Sequence, residues 1–388
     1  MAPVVQALRK RGAAVDLVHS GQHTSLAEQA FVDLGIAPDE TLVCERAGSD
    51  LSALCAGLFK GLSTCLQAAR PHAVLVHGDT ATAAMAGLAA FYLGIPVAHI
   101  EAGLRCPSLA EPFPEEGQRR LLSRLARWHF APTLQARNNL LAERAEGDII
   151  VTGNTVIDAM LGFLDRWKTS PHSPAIALKT AMGEPHDHTL LITAHRRENW
   201  GQSIDTLIQR LAHWMNQSTR NRLIWPLHPN PDLQAQIHRA FDHPDFAACR
   251  QRIGLCQALA YPDMVWAMQH CKAIITDSGG LQEEASAFSK PVLVLRDSTE
   301  RPEAIAAGYA QLIGSQSAGL LTALQDLQNT NWAAALNAAD GLQRWPFGDG
   351  QASERIAQCL MRHSNPIKAT RPHAEQLQKA DQHQHEQP

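Results

Sequence analysis

A rhythm of short apolar runs is what most limits how this chain can fold. The runs are 14–18 (AVDLV), 73–76 (AVLV), 97–100 (VAHI), 149–151 (IIV), 190–193 (LLIT), 223–225 (LIW), 273–276 (AIIT) and 292–295 (VLVL). Each ends in polar or glycine residues and is followed by a stretch compatible with a helix. A strand with one face in water alternates polar and apolar residues, whereas continuous apolar strands separated by helices belong to a parallel sheet covered on both faces. The expected fold class is therefore α/β, with doubly wound sheets. A Pro-, His- and Ser-rich stretch between Trp167 and His188 separates two series of strands. It predicts domains over 1–165 and 189–345 around a cleft, a linker over 166–188, a helix over 346–363 and a disordered Gln/His-rich tail over 364–388.

A chain of 388 residues can build two cores, and 34 Lys plus Arg against 38 Asp plus Glu leave a net charge of −4. That balance offers no basic footprint for nucleic acid or an anionic membrane, so neither is expected as a partner. The eight cysteines, at 44, 55, 65, 106, 249, 256, 271 and 359, show neither C-x-x-C nor zinc-finger spacing. Scattered thiols fit a reducing compartment. At the start, MAPVVQALRKRG puts its basic cluster after an apolar stretch, the reverse of a secretory signal, and the expected location is cytoplasmic. The charge-free segment 80–100 has the length of a membrane span, yet Gly94 and Pro96 break it. A buried Ala-rich helix over 81–93 followed by a buried strand is expected instead. No functional metal site is expected, the tail histidines included.

Ligands of doubly wound sheets lie beyond the carboxyl ends of the strands. Here those ends read HGD (77–79), HIEAGLR (99–105), TGNT (152–155), TAHRREN (193–199), PLHPNP (226–231), TDSGG (276–280) and RDSTERPE (296–303). Ser278, Gly279 and Gly280 lead into a helix carrying Glu283 and Glu284. Small residues there let a phosphate approach free N–H groups at the helix start, with Arg301 arriving from the next strand end. Glu284 is placed to accept from ribose hydroxyls. A tight strand-to-helix turn and a solvated helix charge would account for the same residues. Neither G-x-G-x-x-G after a strand nor G-x-x-x-x-G-K-[ST] is present, which excludes the usual dinucleotide and NTP cradles.

Asp79 and Glu101 each end a buried strand, and Glu115 lies in the proline-stiffened PFPEEGQRR. Acids crowded in one cleft are suited to proton transfer, because crowding raises at least one pKa. Structural pairing with Arg105, Arg119 and Arg120 is the competing reading. His195 serves as an anion contact or an acid-base group, with Arg196 beside it, and His228 is a further candidate. Gln22 and His23 end the first strand, where a simple turn is equally compatible. There is no G-x-S-x-G, no H-E-x-x-H and no recognisable Ser-His-Asp triad, and the tryptophans lack the basic interleaving of a nucleic-acid platform.

Seven of these segments, VHGDT, HIEAGLR, PFPEEGQRR, TGNTVIDA, TAHRREN, TDSGGLQEEA and RDSTERPEAIAAG, resemble the non-hydrolysing UDP-N-acetylglucosamine 2-epimerases. The resemblance is collinear from the first residues to about Ala357. It implies two Rossmann-like domains of the GT-B type with the active site in the interdomain cleft. It also implies interconversion of UDP-N-acetylglucosamine and UDP-N-acetylmannosamine without NAD or metal, by elimination of UDP to 2-acetamidoglucal and its re-addition. By motif, Asp79, Glu101 and Glu115 are the acid-base carboxylates and His195 assists departure of UDP. Ser278, Gly279, Gly280, Glu284, Arg301 and His228 form the UDP set. Gln22 and Arg196 fall at a second, regulatory sugar-nucleotide site, where Ser25 departs from the usual longer polar side chain. A homodimer acting in surface polysaccharide synthesis is the family expectation.

One departure concerns the start. Members of the family open with a strand and a G-T-R-P-E-A-I-K segment before an M-A-P helix, and this sequence opens at MAPVVQALRK. The expectation is a first domain without its central strand and phosphate loop, either because the start lies inside a longer protein or because the product is an impaired sugar-nucleotide-binding remnant. Two activities compete with epimerisation: a hydrolysing 2-epimerase, which releases UDP and free N-acetylmannosamine, and a UDP-sugar glycosyltransferase of the same two-domain architecture.

Overall fold

The computed structural model describes residues 1–388 apart from 22–24, 44–49, 111, 175, 184–187, 195, 197–198, 330–344 and 364–388. Among the described residues, all strand pairs are parallel. Strands β1 (Val18–His19), β2 (Glu40–Thr41), β3 (Val74–His77), β4 (Val97–Ile100), β5 (Trp128–Ala131) and β6 (Asp148–Val151) belong to the first half. Strands β7 (Thr189–Thr193), β8 (Arg222–Leu227), β9 (Ile253–Gln257), β10 (Ala273–Thr276), β11 (Val292–Val294) and β12 (Ala310–Leu312) form the second.

The second sheet has the order β12-β11-β10-β7-β8-β9. The chain enters at the centre with β7, winds outward through β8 and β9, then crosses back to lay β10 against the other side of β7. Loops leaving β7 and β10 therefore diverge in opposite directions, opening a crevice at their carboxyl ends. Both faces are covered. The helix Gln202–Gln217 turns Ile204, Leu207, Ile208, Leu211 and Met215 inward at spacings of three and four, onto the face that carries Trp225. Leu191, Ile224 and Ile274 pack the opposite face against Met160, Val265 and Met268. Each such fully buried side chain contributes about 1.5–3 kcal/mol.

In the first half, β3-β4-β5-β6 form one sheet and β1-β2 another. Thr80 accepts from the Ala83 N–H and caps the helix Ala81–Tyr92, whose small residues let it sit between the helices Leu51–Ala69 and Glu115–Leu125. A Cβ on Gly87 would come within 2.6 Å of Leu122, which measures how close that packing is. The charge-free segment is thus the expected buried helix and strand. Leu51–Ala69 is the described helix whose length and composition would allow a membrane span; Leu54, Leu58, Leu62 and Leu66 turn one side of it into the core.

Several boundaries differ from the sequence expectations. Of 14–18 only Val18 is in a strand, because β1 pairs with just two residues of β2. The strands β2, β5, β9 and β12 carry no β-branched apolar run of the kind that marks the others. β5 reads WHFA, β9 is a half-exposed edge strand, and β12 is a three-residue edge. Within the expected linker, the helix Ile176–Met182 inserts Leu178 and Met182 into the second core. The last helix, Ala352–His363, returns to the first half, where Ile356 and Ala357 are buried with Val4, Leu8, Ala98 and Phe130.

Candidate active site

The cleft is built from strand ends on both sides. Leaving β3, Gly78 turns the chain at φ +66°, where a Cβ would stand 3.0 Å from Glu101. Asp79 follows, held between that turn and the Thr80 cap. β4 ends in Glu101, itself at φ +65°, a conformation that costs about 1–3 kcal/mol for a residue with a Cβ. The Gly78 turn is tied to β4 by His99, whose Nε2 lies 2.8 Å from the Gly78 carbonyl oxygen. Strain held in place next to an acid is a property of sites more than of cores.

Asp79 and Glu101 face different partners. Arg119, on the helix Glu115–Leu125, donates to Asp79 and is itself pinned by Glu116, a fully buried carboxylate that also accepts from Arg120 and from the Cys106 N–H at 3.0 Å. Burial pushes the Asp79 carboxyl up, Arg119 pulls it down and Glu101 pushes it up again, with a raised pKa as the result. Glu101 accepts from Asn154 and from Arg301, each at 3.2 Å, and lies 3.6 Å from His77. Burial pushes the His77 imidazole down to about 3, so it stays neutral and that contact is no ion pair. Glu115 opens its helix with Oε2 buried and without a hydrogen-bond partner among the described residues.

Across the cleft, Ser278 precedes the helix Gly279–Ala287. This helix has two adjoining faces set by its i,i+4 pairs. On one, Gly279 and Glu283 pack against Arg301, where a Cβ on Gly279 would come within 2.6 Å of the guanidinium. On the other, Gly280 has open space above it, and Glu284 lies one turn further on, 5% exposed. Arg301 donates to Glu283 at 2.8 Å, to Glu300 and to Glu101. Burial works against its charge, but the three carboxylates hold it protonated. Although burial opposes ionisation of Glu300, Arg301 and Arg296 hold it down to about 2.

The two halves meet through these groups. Asn154, the cap of the helix Thr155–Thr169, donates to Glu283 as well as Glu101, Thr133 donates to Glu303, and the Cys106 thiol lies 3.8 Å from Glu300. At the crevice between β7 and β10, Thr193 and Thr276 share a hydroxyl hydrogen bond of 2.6 Å. Next to it Asp277 accepts from the Arg196 N–H and from Asn199, both at 2.9 Å. His195 and Gln22 themselves lie outside the described residues. Arg196 extends to within 3.9 Å of Glu300, whereas His228 is exposed at the end of β8, its Nδ1 accepting from the Asn230 N–H. Among the described residues no cluster of three His, Cys, Asp or Glu is arranged to hold a metal.

The family model described as UDP-N-acetylglucosamine 2-epimerase matches residues 6–361. The chain belongs to the UDP-N-acetylglucosamine 2-epimerase family. It is 39% identical over 364 residues to the UDP-N-acetylglucosamine 2-epimerase of Salmonella typhimurium, covering 93% of this chain and 94% of that protein. The crystal structure of the Neisseria meningitidis 2-epimerase bound to UDP-GlcNAc superposes with TM-score 0.83 at 36% identity, over 93% of this chain and 96% of that one. The Methanocaldococcus jannaschii 2-epimerase in complex with UDP-GlcNAc and UDP gives TM-score 0.77 at 29% identity, over 93% and 95%. The doubly wound two-sheet fold expected from the sequence is the fold of these epimerases.

Within this 2-epimerase fold, the predicted Asp79, Glu101, Arg301 and Gly279 come together in one connected group. Sequence reasoning misses several of its members. Arg119 reads in the sequence only as a salt-bridge partner, and Glu116, Asn154, Glu283, Glu300 and Asp277 do not stand out there. Their signal is present in the doubled acids of PEEG and QEEA and in the N-cap position of Asn154, since a buried helix start needs its N–H groups satisfied.

Proposed function

We propose that this protein interconverts UDP-N-acetylglucosamine and UDP-N-acetylmannosamine. The observation that carries the reading is the convergence of Asp79 and Glu101, from neighbouring strand ends, with Arg301 and the open Gly280 helix start of the other half, in a chain of this family. A base on one face takes the C2 proton while the C1–O bond breaks, its electrons leaving with UDP and a C1=C2 double bond forming. Re-addition of the UDP oxygen to C1, with proton delivery to C2 on the opposite face, gives the epimer. No net oxidation occurs. Asp79, Glu101 and Glu115 divide the proton transfers, and the raised Asp79 carboxyl suits a group that must both give and take a proton. His195 and His228 are assigned to the departing diphosphate, to which Ser278, Gly279 and Gly280 present N–H groups. Gln22 and Arg196 form the regulatory subsite.

The active form is a homodimer. Helices Leu51–Ala69 and Ala81–Tyr92 present Phe91 and Tyr92, 53% and 68% exposed, beside Phe59, whose ring meets Tyr92 edge-on at 6.0 Å. A contiguous aromatic patch of this kind is the centre of a two-fold interface between copies of one chain. Free cysteines, several of them buried, support residence in the cytoplasm.

Incubation with UDP-N-acetylglucosamine in deuterated water, followed at C2 by NMR, tests the reaction. Deuterium in both epimers is expected. Free UDP accumulating in step with N-acetylmannosamine would assign a hydrolysing enzyme, and binding without exchange a silent remnant.

A further inference from the structure

The second acid of QEEA has a partner that the epimerase chemistry does not call for. The Tyr261 hydroxyl donates to Glu284 Oε1. Tyr261 opens the helix Tyr261–His270, and its ring is wedged edge-on at 5.4 Å against Phe163 of the helix Thr155–Thr169, the same helix whose cap, Asn154, touches Glu101. The phenol is thus held by packing and not by a mobile loop. Glu284 stands one helical turn beyond Gly280, on the face where the helix start is open. A nucleoside diphosphate with its phosphates over Gly280 carries its ribose towards Glu284.

We propose that Tyr261 is a positioning residue for nucleotide recognition: its hydroxyl holds the Glu284 carboxylate in place and in the charged form that accepts from ribose hydroxyls. The inference rests on the assignment of this face to the UDP moiety. Burial pushes Glu284 up to about 7, and the Tyr261 hydroxyl opposes that push. Burial and the neighbouring Glu284 raise the phenol itself above its normal value, so it remains a donor throughout the working range. Tyr261 and the adjacent Glu283 are the titratable groups that face Glu284 among the described residues.

A carboxylate acceptor is lost as pH falls through its pKa, and removing a donor to the ionised form raises that pKa by about one unit, the scale of one hydrogen bond to a charged group. Tyr261→Phe keeps the ring packing. Titrating wild type and Y261F with UDP by calorimetry at pH 6, 7 and 9 should give a Kd about tenfold weaker in the variant at pH 6, about fivefold at pH 7 and near parity at pH 9. In turnover the same change should appear in KM with kcat unaltered. In a Glu284→Gln background, Tyr261→Phe should add nothing. Equal Kd values at pH 6, or a loss that does not vary with pH, would overturn the proposal. If wild type binds UDP but exchanges no C2 proton, the epimerase reading fails while the Kd series still decides on Tyr261.

Discussion

Gly279 and Gly280 are neighbours in one helical turn, and the same substitution should act on them in opposite ways. A Cβ at 279 would stand 2.6 Å from Arg301 Nη1 and 2.9 Å from Glu300 Oε1. The guanidinium cannot retreat freely, because it donates to Glu101, Glu283 and Glu300. Overpacking of this sort costs about 1–3 kcal/mol, against which alanine recovers at most about 1 kcal/mol over glycine in a helix. Gly279→Ala should therefore lose about 1–2 kcal/mol. At 280 nothing lies within 4 Å of the added carbon, so Gly280→Ala should gain up to about 1 kcal/mol. The methyl group, however, occupies the space through which a phosphate would reach the helix N–H groups. Urea unfolding and calorimetric titration with UDP separate the two effects: stability should change with opposite signs, and UDP affinity should fall in both variants. Were Gly280→Ala to bind UDP as tightly as wild type, the placement of the diphosphate would be refuted. Gly279→Ala as stable as wild type would refute the packing argument.

Three further outcomes follow from the same geometry. Asp79→Asn cannot carry a proton between pH 5 and 9 and should reduce C2 deuterium exchange at least a hundredfold, with the circular dichroism spectrum unchanged; retained exchange would remove Asp79 from the chemistry. The Glu300 pKa is held at about 2, below its unfolded value near 4.5, so its stabilising contribution is complete above the unfolded pKa and is lost as pH falls towards 2. Glu300→Gln should accordingly flatten the decline of urea stability between pH 4.5 and 2, and an unchanged slope would contradict the pairing with Arg296 and Arg301. Phe91→Glu should give a monomer by sedimentation at micromolar concentration, whereas a dimer that persists would move the interface elsewhere.

The parts of the fold that could be read from the sequence are those whose burial is recorded in each residue separately. β3, β4, β7, β10 and β11 are continuous apolar runs because helices cover both faces, and their ends marked Asp79, Glu101 and the 276–280 turn directly. β5 escaped because Trp128 and His129 sit in the sheet interior through packing and a bond from His129 to the Glu146 carbonyl, a partner seventeen residues away. β9 and β12 lie at sheet edges, where a strand needs little apolar sequence. In the site, single residues were visible and their pairings were not. Arg301 reads as a phosphate ligand in the sequence, yet its donors are directed at carboxylates on both sides of the cleft. That convergence depends on two crossovers and on Asn154 capping a helix, none of which a linear motif encodes. Arg196 is comparable: its N–H donates to Asp277, a partner eighty-one residues away.

The return of the helix Ala352–His363 has a consequence for biosynthesis. Ile356 and Ala357 fill the same core as Val4, Leu8, Ala98 and Phe130, so the half of the molecule made first lacks part of its interior until residues 352–363 have been translated. The second sheet, continuous from β7 to β12, has all its strands earlier. On the ribosome the later half is thus positioned to close first, and the earlier half must wait with an apolar groove open beside its first helix. A nascent chain halted near residue 350 would offer that groove to chaperones, and the first half could be separated genetically only by carrying residues 352–363 along with it.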